Sequence, residues 1–146
     1  GLGALRRRPE ARWRKSPRDI AELLPLQRQL LDAAIEATRP GGVIAYVTCS
    51  PHAAETQNIV AEVLESGAVS LLDSAAALRE VALHTEGADG KPVSVLAGEK
   101  DPGHTPEIKV KKGAPVVKAS ENPTTAQLWP HVHGTDAMFL ALLRKN

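Results

Sequence analysis

The chain opens on a polar, arginine-rich stretch and first shows a regular apolar period after Ser16. Ser16-Pro17 sets a capping residue before a proline at the first helical position, with Asp19 in the first turn. The spacing predicts a helix to about Thr38 with Leu23, Leu26, Leu30, Ala34 and Ile35 on its apolar face. Pro25 lies inside it and is expected to kink or divide it, because proline removes a hydrogen bond and crowds the preceding turn. Arg39-Pro40-Gly41-Gly42 ends it. Val43 to Thr48 is an apolar, β-branched-rich run, the pattern of a strand buried on both faces. A helical period returns from about Ala53 to Ser66, with Ile59, Val60, Val63 and Leu64 on one side, and Gly67 breaks it. Val69 to Leu72 reads as a second strand, so strand, helix and strand suggest a right-handed parallel unit of an α/β sheet. His84 to Glu107 is polar and turn-rich and is expected to be a flexible loop. A hairpin over Ile108 to Lys118, turning at Gly113-Ala114, and a strand over Ala137 to Leu143 complete the pattern.

With 146 residues the chain is about one domain long, and its 42% hydrophobic and 24% charged content is that of an ordinary globular protein. Aromatics make up only 3%, so the core must be aliphatic. One cysteine excludes an internal disulfide, and no apolar run approaches the roughly 20 residues that cross a bilayer. No secretory signal is evident in the first residues, and a cytoplasmic protein without a membrane partner is expected. The absence of an initiator methionine suggests that Gly1 is not a natural beginning.

The net charge of +1 conceals an uneven distribution. Arg6, Arg7, Arg8, Arg12, Arg14, Lys15 and Arg18 stand against a lone Glu10, which leaves the remainder net negative. Trp13 sits within this run. Cations with an interleaved flat ring suit phosphate contact and base stacking, although a solvated basic loop has the same composition.

Chemistry is possible at Cys49, the first residue past the predicted strand Val43 to Thr48. In open α/β sheets ligands bind outside the carboxyl ends of strands, and a helix N-terminus favours the reactive thiolate form. A packed thiol is the competing reading, since free cysteine is often only a small buried hydrophobe and no orienting base is marked nearby. His52 is close in sequence but can simply face solvent. His131 and His133 are two potential ligands without an evident third, so no metal site is expected. Gly1-Leu2-Gly3 follows no strand, and no glycine-rich loop joins a strand to a helix, so no cofactor site is expected in the chain itself.

Three segments together carry a resemblance: "GLGALRRRPEARW", "LPLQRQLLDAAIEATRPGGVIAYVTCSPHAAETQNIV" and "LWPHVHGTDAMFLALLRK". They resemble the C-terminal half of bacterial Sun/Fmu-type enzymes of the NOL/NOP/Sun family, RNA cytosine-C5 methyltransferases that act mainly on small-subunit ribosomal RNA. The likeness covers Gly1 to about Val63 and returns at Leu128 to Lys145. It implies an α/β fold, the second half of a Rossmann-like S-adenosylmethionine-dependent methyltransferase sheet, with an antiparallel terminal strand. It also implies a chain cut inside the catalytic domain. The upstream half would hold the S-adenosylmethionine site, a catalytic aspartate and a second cysteine.

The family's Thr-Cys-Ser motif carries the nucleophile, which the resemblance places on Cys49. Arg6, Arg7, Arg8, Trp13 and Arg14 would then line the RNA path, or else tie their loop to the sheet through carboxylates. Thr135-Asp136-Ala137-Met138-Phe139 stands where the family usually has Thr-Asp-Gly-Phe-Phe, and Asp136 is a further pocket candidate. The enzymatic reading has one competitor, a non-catalytic basic RNA-binding module with a structural cysteine. On either reading a half sheet would expose an edge through which the fragment could self-associate.

Overall fold

The computed structural model describes residues 5, 7–14, 16–81, 84–86, 92–94, 124–130 and 135–146. After a 3-10 helix at Pro9–Arg14 come α1 (Pro17–Ala37), β1 (Val43–Thr48), α2 (Gln57–Glu65), β2 (Val69–Leu71) and α3 (Ser74–Val81). Four further strands follow: β3 (His84–Glu86), β4 (Pro92–Ser94), β5 (Ala126–Gln127) and β6 (Phe139–Lys145).

The capping residues do what their chemistry predicts: the Ser16 N–H donates to the Asp19 carboxylate at 2.8 Å. At the start of α3 the bond runs the other way: the carboxylate of Asp73, unremarked in the sequence, accepts from the Ala76 N–H at 2.9 Å. Pro25 does not divide α1, which is a single helix across it. The ring is solvent-exposed, and the turns beyond it are anchored by buried Leu31 and Ile35. The apolar face also differs from the expected one. Leu31 and Ile35, with Leu24 and Ala34, meet the core, whereas Leu23, Leu26 and Leu30 are 37%, 50% and 63% exposed. Gln27 and Arg28 lie on the inner side instead, which disguises the true stripe.

β6 organises the sheet. It runs antiparallel to β1 on one edge and to β2 and β5 on the other, in the order β1-β6-β2. The expected parallel pair therefore shares a direction but not a ladder, because β6 lies between its members. Phe139, Ala141 and Leu143 are wholly buried at alternate positions of β6. They join Ile44, Ile59, Val60, Val63, Val69 and Leu71 in one core under α1 and α2. Burying one such Leu or Val side chain is worth about 1.5–3 kcal/mol, so this cluster dominates the stability of the unit.

β1 is not buried on both faces. Ile44 and Tyr46 face the core, while Val43, Ala45 and Val47 are exposed. Among the described residues β6 is the only strand paired with β1, so its outer edge and one of its faces are uncovered. The second strand and the terminal strand fall within two residues of expectation, at Val69–Leu71 and Phe139–Lys145. Within the segment read as a loop, β3 and β4 pair antiparallel, Thr85 opposite Val93. The hairpin expected over Ile108 to Lys118 lies outside the described residues.

Candidate active site

Cys49 follows directly on β1, whose last residue, Thr48, is paired with Phe139 at the start of β6. It is a free, half-buried cysteine. No α-helix starts beside it. The chain passes through Ser50, Pro51 and His52 into a 3-10 turn at Ala53–Glu55, and α2 begins only at Gln57. A 3-10 turn, not the N-terminus of an α-helix, therefore stands beside the thiol.

That turn is tied by side chains. The Ser50 hydroxyl donates to Glu55 Oε2 at 2.6 Å and accepts from the His52 N–H at 3.1 Å. His52 Nδ1 accepts from the Ala54 N–H at 3.2 Å, so this imidazole caps the 3-10 turn. Thr56 Oγ1 donates to the His52 carbonyl at 2.9 Å. Glu55 is only 1% exposed. Its second oxygen accepts from Gln27 Nε2 of α1 at 3.0 Å, and its carbonyl oxygen accepts from the Tyr46 hydroxyl at 2.8 Å. Burial, and secondarily the charge of Glu55, pushes the Tyr46 phenol up to about 12.

A second arm reaches the same end of the sheet. Asp136, three residues before β6 and 9% exposed, accepts from Arg7 Nε at 2.7 Å, and Arg7 Nη2 lies 2.6 Å from the same oxygen. The hydrogen bond from Arg7 to Asp136, then the aspartate's charge, holds the guanidinium above its ordinary value; Cys49 adds to this in the same direction. The basic segment, the start of β6 and the cysteine therefore converge at one end of the β1–β6 pair.

Of the expected site residues, the structure brings Cys49, Arg7 and Asp136 together. Arg8 is exposed and Trp13 is 85% exposed. Arg14 ends the 3-10 helix at Pro9–Arg14, its side chain outside the description, while Arg6, His131 and His133 lie outside the described residues. Ala137, in place of the family's usual glycine, is 4% exposed and fits its buried position. Among the described residues no three His, Cys, Asp or Glu side chains gather as for a metal ion. The turn leaving β1 carries Cys49, Ser50, Pro51 and His52 rather than glycines.

Sequence reasoning missed Ser50, Glu55, Gln27 and Tyr46. One signal was available: Glu55, Ile59 and Val63 are spaced four apart, so in the sequence a carboxylate falls in step with the apolar period of the helix that follows.

A Mycobacterium tuberculosis (strain H37Rv) protein named as a methyltransferase is 46% identical over 147 residues, 99% of this chain and 24% of its own length. Ribosomal RNA small subunit methyltransferase B of Erwinia tasmaniensis is 50% identical over 48 residues, 33% of this chain and 11% of its length. Among solved structures, PH0851 superposes with a TM-score of 0.65 at 27% identity, covering 98% of this chain and 24% of that one. NSun6 from Pyrococcus horikoshii, solved with SFG, has the same fold at 20% identity, with a TM-score of 0.54 and 90% and 24% of the chains covered. The chain thus spans about a quarter of the Mycobacterium tuberculosis protein and of these two solved structures, and its sheet is part of a Rossmann-like methyltransferase fold. The family profile described as 16S rRNA methyltransferase RsmB/F matches residues 1–144, and the chain belongs to that family.

Proposed function

We propose that this chain is the cysteine-bearing part of a longer S-adenosylmethionine-dependent enzyme that methylates C5 of cytosine in small-subunit ribosomal RNA, in the cytoplasm, with Cys49 as the nucleophile. One observation carries the reading: the chain's single cysteine stands at the end of β1, where the Arg7–Asp136 pair also converges. Cytosine C5 is a poor nucleophile. Addition of the Cys49 thiolate to C6 forms an S–C6 bond and shifts electron density to C5, which can then accept a methyl group. Loss of the C5 proton to a base, with cleavage of the S–C6 bond, expels the thiolate and restores the aromatic ring.

S-adenosylmethionine supplies the methyl group, and its pocket belongs to parts of the longer protein beyond these residues. The chain's own residues have three tasks: Cys49 attacks, Arg7 and Asp136 set the charge beside it, and Arg8 and Trp13 receive RNA. Arg6 and Arg14 belong to the same basic segment and add to its positive charge. A cytosine must leave its stack to reach Cys49, so an unpaired or flipped base is the substrate.

The test is nucleoside analysis of RNA treated with the longer enzyme and S-adenosylmethionine. Formation of 5-methylcytidine by wild type and its loss in Cys49→Ala support the reading. Undiminished 5-methylcytidine from Cys49→Ala would leave the cysteine structural, and RNA binding without any methylation would favour a basic binding module.

A further inference from the structure

We propose that Glu55 is a positioning residue for the Cys49 thiol, acting through Ser50. The inference rests on the reading of Cys49 as the nucleophile. A carboxylate almost never becomes fully buried without partners, because desolvation opposes its charge. Glu55, the last residue of the 3-10 turn before α2, is nevertheless only 1% exposed. What it holds is therefore informative.

Its partners come from three places around the cysteine. Ser50 is the residue immediately after Cys49, Tyr46 lies three before it on β1, and Gln27 projects from α1. The Ser50 hydroxyl is used in both directions, donating to Glu55 and accepting from the His52 N–H. On the other side of the cysteine, Thr48 is fixed in the ladder opposite Phe139. Cys49 is thus a single link between two clamped neighbours, and the clamp on one of them is Glu55. Alignment of a nucleophile with a ring carbon is demanding: a misplacement of about 1 Å can lower a rate on the order of 100-fold.

The experiment uses the longer enzyme with S-adenosylmethionine and substrate RNA. Single-turnover methyl transfer, RNA affinity and amide hydrogen exchange across residues 50–56 are measured for wild type, Glu55→Gln, Ser50→Ala and the double variant. Each single variant is expected to lower the single-turnover rate per folded molecule by about 10- to 100-fold, with RNA affinity unchanged and faster exchange at 50–56. The double variant should be no slower than the worse single one, because both act through one link. A residue that only stabilises the fold would change the amount of folded protein and leave the rate per folded molecule intact. An unchanged rate in both single variants would overturn the inference. Where Glu55→Gln does not fold, Ser50→Ala, which removes one hydroxyl from the same link, decides alone by the same criterion. A wild type that binds RNA and S-adenosylmethionine but transfers no methyl group would overturn the nucleophile reading itself. An active wild type with unaffected variants would overturn only the role of Glu55.

Discussion

Tyr46 illustrates how much of the site rests on buried polar chemistry. Its hydroxyl donates to the Glu55 carbonyl, its ring meets Phe139 edge-on at 6.2 Å between centroids, and burial pushes its phenol up to about 12. In the unfolded chain the phenol returns to about 10. The folded state therefore holds the proton more tightly, and stability from this group is complete below pH about 10 and lost as pH rises toward about 12. Tyr46 is the chain's single tyrosine, so tyrosinate absorbance reports it directly. Ionisation near pH 12 is expected in the folded chain, and ionisation near pH 10 without unfolding would contradict the burial. Tyr46→Phe should remove this alkaline loss from the pH dependence of the denaturation midpoint. At the same scale Arg7 and Asp136, suggested by the sequence as separate candidates, are partners across the fold.

At the scale of elements, local signals were legible and pairing was not. Ser16, Pro17 and Asp19 announced α1, Arg39 to Gly42 its end, and Gly67 the end of α2. These are short-range effects of caps, rings and glycine backbone freedom. Which leucines of α1 face inward was misread, because the inner stripe carries Gln27 and Arg28 and the outer one is richer in leucine. The insertion of β6 between β1 and β2 was illegible for a different reason: strand neighbours separated by most of the chain leave no local trace. Glu55 was overlooked because a charge normally marks a solvated position, and only its partners explain its burial. The α1–β1 turn yields a prediction at this scale. Gly41 has φ +77°, its N–H donates to the Lys145 carbonyl at 2.8 Å, and an added Cβ would meet nothing within 4 Å. Gly41→Ala should therefore cost only the left-handed backbone penalty, about 1–2 kcal/mol, read as a lower urea midpoint with unchanged slope. A variant as stable as wild type would contradict that backbone reading.

For the whole molecule, the uncovered surface is as informative as the core. Val43 and Val47 are 54% and 50% exposed on one face of β1, and its outer edge has no paired strand among the described residues. An apolar, unpaired edge invites strand addition. The isolated 146-residue chain is therefore expected to self-associate with increasing concentration, and Val47→Lys to suppress this in light scattering. A monomer at all concentrations with a sharp cooperative melt would contradict the expectation. The same end of the sheet brings the basic segment, Asp136 and Cys49 to one place, and the role of that cysteine decides what this end of the sheet can do. Its most direct test is a covalent trap: the longer enzyme, S-adenosylmethionine and RNA carrying 5-fluorocytosine. Fluorine cannot leave C5 as a proton does, so a thiolate bound at C6 stays attached after methyl transfer. A denaturation-resistant protein–RNA adduct that is absent in Cys49→Ser is the predicted result. No adduct from wild type, with RNA and cofactor binding both confirmed, would contradict the account and return Cys49 to a structural role.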